Sequence, residues 1–390
     1  MKIAVFNAEA RKAVSIIRSL GRAGHTVITF SFERISFAAA SRYVRRNYYI
    51  SRFDTEFILA KLRVHGIELV FPIEDDSIEY FGTNRETFGE FVLVIPDYDS
   101  FILFADKANT VRLALERGVS VPETCIPDSM EDAERFIAGR KEYPVVIKPR
   151  RSTGSIGLKV VGGPEEGIES YREISKRFHL PLIQEYIPPG GRAVGAEFLF
   201  YRGEEIMSFS HRRIREFPVG SGPSTFCTCY EREDAVAEGR KLFEELDYSG
   251  FAMVEFKEHP ERKRLYLMEV NPRPWGSITL PISMGFDFPA EAVWLFTDPS
   301  RYEPPERRNV FETGERYYMR WLLPGDFLSI VLDGRMTLRE KLSNLFGRRR
   351  NTAYQILSRS DPAPAFVMIF KLFVNLFSVS YIRKYLLRRW

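Results

Sequence analysis

The sequence predicts a mixed α/β protein, in which a parallel sheet flanked by helices precedes an α+β part with an antiparallel hairpin. Strand and helix patterns alternate over roughly the first hundred residues, which is typical of a parallel sheet. Two strand patterns joined by a charged turn around Pro260 indicate the hairpin. A basic and apolar segment follows. These changes divide the sequence into residues 1–105, 106–189, 190–300 and 301–390.

The first region is expected to be Rossmann-like. Its predicted strands cover residues 2–7, 26–32, 69–73 and 92–96. A helix is predicted over residues 10–23, and the loop before it has no G-x-G-x-x-G pattern, so we expect no NAD-type site. Glu74, Asp75 and Asp76 follow the third predicted strand. They either bind an amine at the carboxyl end of the sheet or cap the next helix.

Lys148 ends an apolar strand predicted over residues 143–149. A buried ammonium group needs an anion such as phosphate; alternatively, its stem is buried while its head reaches solvent. A loop of small residues then leads into a strand at 158–161, so we expect a hairpin flap whose backbone N–H groups close over phosphate oxygens. The flap residues are Ser152, Thr153, Gly154, Ser155 and Gly157.

Two further segments are candidates for nucleotide contacts. The strand at residues 182–187 ends in Glu185, Tyr186 and Ile187, and its extended edge can offer backbone groups to an adenine ring; a plain surface strand is the alternative. Arg213 lies in a basic cluster before a Gly-rich loop at 220–225. Its forked guanidinium suits a triphosphate or a carboxylate, unless the cluster is simply a solvated loop.

The acidic hairpin is the strongest candidate site. Antiparallel pairing of residues 251–256 with 264–270 can bring Glu255 and Glu269 side by side. Two adjacent carboxylates need a cation, and together with the amide oxygen of Asn271 they suit one or two Mg2+ ions, or Mn2+. Arg273 then supplies a fork for a phosphate or carboxylate. The alternative is a solvated hairpin.

Composition excludes some classes of protein. Three cysteines are too few for a disulfide scaffold, which fits a reducing cytoplasm. Residues 335–390 contain twelve Lys and Arg but two Asp and Glu, so the remainder of the sequence is mildly acidic. We therefore expect no nucleic-acid partner.

The C-terminal segment predicts an apolar helix over residues 365–382, followed by four basic residues and Trp390. Such a helix suits peripheral contact with an anionic membrane through residues 365–390. Lys371 and the short length argue against a full span. Docking on the body of the protein or at a homodimer interface is the alternative.

Taken in order, these motifs resemble the ATP-grasp superfamily, in particular its carboxylate–amine ligase branch, related to the ATP-binding domains of the carbamoyl-phosphate synthetase large chain. The resemblance covers about residues 1–300 and depends on the segments 106–107, 146–149, 152–157, 184–187, 213–225, 254–255 and 268–273. It implies an ATP-grasp fold with a Rossmann-like domain (1–105), a lid or central subdomain (106–189) and a C-terminal subdomain with the metal site (190–300). The basic, partly helical extension (301–390) lies beyond the resemblance.

The resemblance also implies roles for single residues. Lys107 and Lys148 would contact the phosphates of ATP, the flap would close over them, and Glu185, Tyr186 and Ile187 would meet adenine. Glu255, Glu269 and Asn271 would hold Mg2+, and the catalytic residues would be Arg273, Arg213 and Lys148. Many relatives bind the ribose through an acid just after residues 188–191. Here that place lacks one, and Glu197 is the substitute candidate.

The chemistry implied is ligation of small molecules. A carboxylate attacks the γ-phosphate to give an acylphosphate and ADP, and an amine, or a thiol, then displaces phosphate. If the tail contacts a membrane, we expect a lipid-linked substrate and a cytoplasmic protein with peripheral contact at the inner membrane face. The alternatives are a non-catalytic ATP-binding scaffold at a membrane and a kinase that stops at phosphorylation.

Overall fold

The structure is a computed structural model that describes residues 1–152, 154, 156–220, 222–304, 315–347 and 349–376. It is built on three sheets: a parallel one near the N-terminus, a small antiparallel one, and a large sheet made mainly of antiparallel strands. The predicted mixed α/β class is therefore confirmed.

The N-terminal sheet has five parallel strands in the order β3-β2-β1-β4-β5. Its elements are β1 (Lys2–Phe6), α1 (Arg11–Arg22), β2 (Thr26–Ser31), β3 (Val44–Tyr49), α2 (Thr55–His65), β4 (Leu69–Phe71), α3 (Asp75–Thr83), β5 (Val92–Leu93) and α4 (Tyr98–Ala105). The four predicted strands and the first helix are present. Because β1, β2 and β4 are apolar and buried, helices pack on both faces of the sheet.

The second sheet has four strands in the order β6-β9-β7-β8, all paired antiparallel. This part consists of α5 (Lys107–Glu116), β6 (Thr124–Cys125), α6 (Met130–Gly139), β7 (Val145–Lys148), β8 (Lys159–Val161), α7 (Pro164–Ser175) and β9 (Leu182–Glu185). Ile137, Val145, Ile147 and Tyr171 form its own small core, so β7 holds Lys148 from a rigid base.

The third sheet and the helices beside it form the rest of the described chain. The first elements are β10 (Ala193–Tyr201), β11 (Glu204–Glu216), β12 (Ser224–Cys229), α8 (Glu233–Lys241), β13 (Gly250–Glu258), β14 (Leu265–Asn271), α9 (Thr279–Ser283) and α10 (Phe288–Thr297). It continues with β15 (Tyr318–Arg320), α11 (Phe327–Leu332), α12 (Leu338–Phe346), β16 (Thr352–Tyr354) and α13 (Ala363–Leu376). The strand order is β14-β13-β10-β11-β12-β15-β16.

The region after residue 300 is not a separate extension, which corrects the predicted boundary. Strand β15 pairs with β12, and β16 pairs with β15, so both complete the large sheet. Arg18 of α1 donates from Nε to Asp361 at 2.8 Å, and both residues are buried. Ala365 and Met368 of α13 are buried in the main core. Part of the apolar face of α13 therefore packs against the body of the protein.

Within the described parts of the chain, no helix is both long enough and apolar enough to cross a membrane.

Candidate active site

One large cleft, with a volume of about 1380 Å³, lies where the three sheets meet. Its lining includes Lys12 of the N-terminal part, Lys148 of the four-stranded sheet, and Glu255 and Glu269 of the large sheet. The carboxyl ends of parallel strands commonly form such crevices. The cleft thus gathers the residues that the motifs singled out from distant parts of the sequence.

The acidic hairpin has the predicted geometry. On β13 and β14, Glu255 and Glu269 are directly opposed in an antiparallel pair. The next pair is Phe256 with Leu267, so the register shifts and leaves Met268 as an extra residue. A bulge of this kind re-aims groups beside active sites. Here it frees the carbonyl oxygen of Met268, which accepts a hydrogen bond from Lys148 Nζ at 3.1 Å.

Each carboxylate of the hairpin has a cation beside it. Arg213 donates from Nη2 to Oε2 of Glu255 at 2.8 Å and from Nη1 to Glu216 at 3.0 Å. Lys107 Nζ lies 3.2 Å from Oε2 of Glu269. The Nε atom of Arg213 is buried and has no hydrogen-bond partner among the described residues. A ligand oxygen in the cleft could therefore satisfy it.

The pKa values of Lys148 and Glu269 are both lowered, but by different causes. Desolvation and, less strongly, nearby Lys107 lower the pKa of Lys148 to about 7, while Glu269 opposes the shift. For Glu269, burial acts to raise the pKa, yet Lys107 and Lys148 hold it below its ordinary value. The site therefore keeps a charged carboxylate next to an amine that titrates near neutrality.

Arg273 joins the hairpin to the N-terminal part. Its Nη2 donates to Oδ1 of Asn271 at 3.0 Å, and its Nε donates to Asp75 at 3.0 Å. Asn271 in turn donates to Glu269 at 3.4 Å. Burial acts to lower the pKa of Arg273, but Asp75 and Glu74 raise it above the ordinary value, so its charge is fixed.

Two cleft residues escaped the sequence analysis. Lys12 donates to Glu74 at 2.9 Å and to the carbonyl oxygen of Pro274 at 2.8 Å, and burial lowers its pKa to about 8. Arg11 stacks on Trp321 at 4.1 Å and donates to the carbonyl oxygen of Ser224. Their place, in the first turn of the helix after β1, was the available signal.

Glu74, Asp75 and Asp76, which follow β4, make different contacts. Glu74 precedes α3 but makes no capping hydrogen bond with its side chain; it accepts from Lys12 instead. Asp75 pairs with Arg273, and Asp76 accepts from Asn7 at 3.1 Å. Capping by Glu74 is therefore wrong as an expectation, since its carboxylate belongs to the wall of the cleft.

The flap between β7 and β8 is a hairpin loop, as predicted from the antiparallel pairing of these strands. Ser152 and Gly154 line the cleft, and the carbonyl oxygen of Ser152 accepts from Lys107 Nζ at 2.8 Å. Gly157 has φ +76°, and a Cβ there would lie 2.7 Å from the ring of Phe178, so only glycine fits. Thr153 and Ser155 lie outside the described residues.

The end of β9 provides the predicted edge. Glu185, Tyr186 and Ile187 all line the cleft. Lys257 donates to the carbonyl oxygen of Ile187 at 2.7 Å and lies 5.4 Å from the centre of the Tyr186 ring. The side chain of Glu185 faces Arg262 at 2.8 Å, and the backbone N–H of Glu185 donates to the carbonyl oxygen of Glu123 at 2.8 Å.

Glu197 occupies a different environment. It is fully buried on β10 and pairs with His211 of β11 beneath the sheet surface. Burial raises its pKa above the ordinary value. This position does not offer Glu197 to a ribose in the cleft.

The donors in the cleft suit Mg2+. Two opposed carboxylates and an amide oxygen face the same cleft as Lys148 and Lys107, and a Mg2+ ion bound beside phosphates usually takes one or two carboxylates. No cluster of three or more His, Cys, Asp or Glu side chains suited to a metal occurs among the residues that the structure covers.

Comparisons with known proteins show similarity to one domain family and to named ligases. Residues 104–277 match the model of the ATP-grasp domain. A probable alpha-L-glutamate ligase of Pseudoalteromonas translucida is 26% identical over 238 residues, covering 57% of this chain and 73% of the relative. A D-alanine–D-alanine ligase of Fusobacterium nucleatum is 24% identical over 182 residues, covering 43% of this chain and 56% of the relative.

Solved structures show the same fold. The biotin carboxylase domain of Hydrogenobacter thermophilus 2-oxoglutarate carboxylase, crystallised with MgADP, ADP and bicarbonate, superimposes with a TM-score of 0.64 at 19% identity. The match covers 79% of this chain and 70% of that one. The fold is therefore an ATP-grasp fold. More particularly, residues 104–277 of this chain are its ATP-grasp domain, and the sequence relatives named above are ligases.

Proposed function

We propose that the protein is an ADP-forming ligase that joins a carboxylate to an amine, or to a thiol, through an acylphosphate. The opposed pair Glu255 and Glu269, flanked by Lys107, Lys148 and Arg213, is the observation that supports it most directly. A cleft with two carboxylates and several cationic side chains suits a metal ion bound to a triphosphate better than it suits a metal ion alone or a triphosphate alone. The ligase names of the relatives support the same reaction.

The first step brings two anions together, so positioning and positive charge supply most of the catalysis. Lys107 and Lys148 hold the phosphates from below, and the flap residues Ser152 and Gly154 cover them. Arg213 and Arg273 lie on either side of the acidic pair and stabilise the charge of the transferred phosphoryl group and of the attacking carboxylate. Adenine lies against Glu185, Tyr186 and Ile187.

Glu255, Glu269 and Asn271 would hold one or two Mg2+ ions. When bound, Mg2+ neutralises the developing charge on the triphosphate and orients the γ-phosphoryl group. Arg213 and Lys107 then exchange part of their contact with the two carboxylates for contact with phosphate oxygens. The free Nε of Arg213 supports this exchange, since the guanidinium already has an unmet donor.

The protein's location belongs to the same proposal. We place it in the cytoplasm, where free Cys125, Cys227 and Cys229 are stable. Outward-facing Phe366, Ile369 and Phe370 of α13 precede a basic segment in sequence, which suits peripheral contact of residues 365–390 with the inner membrane face and a lipid-linked substrate.

The test is a screen of amino acids, polyamines and lipid head groups for stimulated release of ADP. Glu269→Gln serves as the blank and Glu261→Gln, in the exposed turn of the same hairpin, as the matched control. The proposal predicts ADP release that needs both a carboxylate and a nucleophile. ADP release with a stable phosphorylated product and no nucleophile would indicate a kinase, and ATP binding without ADP release a scaffold.

A further inference from the structure

Helix α11 and the turn that follows it form a wall of the cleft that the proposed reaction does not use. Leu332, Arg335 and Met336, at the junction of the two helices, line the cleft. Lys341 Nζ donates to the carbonyl oxygen of Val331 at 2.8 Å and holds the helices together. The two helices and their junction, residues 327–346, are called the rim segment below.

The rim segment is hydrogen-bonded to β11, the strand that carries Arg213. Ser329 Oγ donates to the carbonyl oxygen of Glu216 at 2.9 Å, and the side chain of Glu216 accepts from Arg213 at 3.0 Å. Because Arg213 also contacts Glu255, the rim segment lies a short chain of contacts from the acidic pair. The α11 end of the rim segment therefore lies beside the cleft, and Lys341 holds α12 against α11.

Helix α12 exposes a stripe of large apolar side chains. Leu338, Leu342 and Phe346 are 73%, 48% and 77% exposed. Their spacing of four residues places them on one face of the helix. No residue of α12 is buried among the residues that the structure describes, although Thr337 and Glu340 form a capping box that defines its start.

Such a helix needs a partner. Helices of this length are marginal in water, and most of their stability in proteins comes from a buried apolar face. The described residues leave the stripe of α12 uncovered, and Phe327 and Val331 add exposed apolar area on α11. Single apolar residues on a surface need no explanation, but a stripe on a capped helix does.

The charges around the stripe indicate which partner. At about 100° per residue, Arg339 and Lys341 flank the apolar face on its two sides. Residues 327–350 contain six basic and two acidic residues, and Asp333 is already paired with Arg335 at 2.7 Å. An apolar face bordered by cations is the pattern of a helix that lies in the headgroup layer of an anionic membrane.

We propose that the rim segment docks on an anionic phospholipid surface through the stripe of α12, with the mouth of the cleft against the headgroups. If the protein is the ligase proposed above, on which this second part rests, its acceptor is an amphiphile whose polar end enters past Leu332 and Met336. This surface is distinct from α13.

The test is flotation of the full chain with vesicles of phosphatidylglycerol or phosphatidylcholine. We expect the wild type to float with phosphatidylglycerol only. The variant Leu338→Glu/Leu342→Glu/Phe346→Glu should lose binding by more than about tenfold, since three apolar anchors are removed. The matched control Val64→Glu/Leu115→Glu, also at exposed positions on helices, should bind as the wild type does.

Three results would overturn the proposal: equal flotation of the triple variant and the wild type, no flotation of the wild type, or a dimer in solution that the triple substitution dissolves. A Phe366→Glu/Phe370→Glu variant separates the contribution of α13. Thermal shift with Mg-ATP should be the same in all these proteins. Wild-type protein that binds Mg-ATP but does not float, or a triple variant that floats as the wild type does, would thus contradict this surface and leave the proposed function standing.

Discussion

Glu255 and Glu269 stand opposite each other on β13 and β14, and each faces its own cation, Arg213 at 2.8 Å and Lys107 at 3.2 Å. Two carboxylates so close would repel without these partners. In the proposed function these carboxylates are the metal ligands, and two protein cations lie beside them.

Removing one carboxylate should abolish productive binding of the nucleotide. Glu269→Gln is expected to lower the rate of ADP release by more than about 100-fold, because a single carboxylate cannot hold the metal well. The thermal shift with Mg-ATP should shrink in parallel. Glu261→Gln, on the same hairpin, should change neither quantity. A Glu269→Gln enzyme with wild-type turnover would exclude the metal role.

Arg213 should act on the chemical step. Arg213→Met leaves Glu255 and Glu216 without their shared cation, and we expect kcat to fall by about 100-fold or more. Single-turnover ADP formation measures this directly. Arg212→Met is the control, since the neighbouring Arg212 stacks on Tyr230 instead. Equal losses in both variants would indicate damage to the strand rather than a role in catalysis.

Lys148 should make nucleotide binding depend on pH. Its pKa is lowered to about 7 by burial, and a bound triphosphate would raise it, so binding takes up a proton. The affinity for Mg-ATP should therefore fall as the pH rises from about 7 towards 9. Titration calorimetry across this range measures it. Lys148→Arg stays charged and should flatten the profile; a wild-type affinity that rises with pH would contradict the assignment.

Asp361 should stabilise the fold by tying the C-terminal part to α1. It accepts from Arg18, from Ser41 and from the backbone of Arg42 while 1% exposed. Asp361→Asn leaves Arg18 buried without a counter-charge and should cost about 3–5 kcal/mol in urea unfolding. Asp99→Asn, at an exposed site, should cost less than about 0.5 kcal/mol.

Asp361 should also make the stability of the fold depend on pH in the acid range. Burial acts to raise the pKa of Asp361, but the backbone of Arg42 and the side chain of Arg18 lower it below the ordinary value. Its contribution to stability is therefore present above the unfolded pKa and is lost as the pH falls through the folded one. The Asn variant should lose that part of the wild-type acid dependence.

Much of the fold followed from local pattern. Strands such as β1 and β2 are buried on both faces and therefore consist of near-continuous apolar runs, which can be predicted from the sequence. Strand β3 was missed because it is a polar edge strand, Val-Arg-Arg-Asn-Tyr-Tyr, with no buried residue. Strands β15 and β16 have three residues each, too few for a periodicity, and their partner is far away in sequence.

The site divides in the same way. Glu255 and Glu269 could be paired from sequence because a short hairpin joins them, and the register agrees. Lys12 and the rim segment could not, since only the tertiary fold brings them to the cleft. Glu197 was predicted as a ribose ligand from its sequence position alone. Side chains alternate between the two faces of β10, and the side chain of Glu197 lies on the buried face, next to His211.

The central claim is that the two opposed carboxylates hold a divalent ion beneath a triphosphate. Diffraction from crystals grown with Mg2+ and a non-hydrolysable ATP analogue tests it most directly. We expect a Mg2+ ion within about 2.0–2.2 Å of carboxylate oxygens of both Glu255 and Glu269, with phosphate oxygens completing the shell. A nucleotide bound elsewhere, or a metal that contacts neither residue, would contradict it.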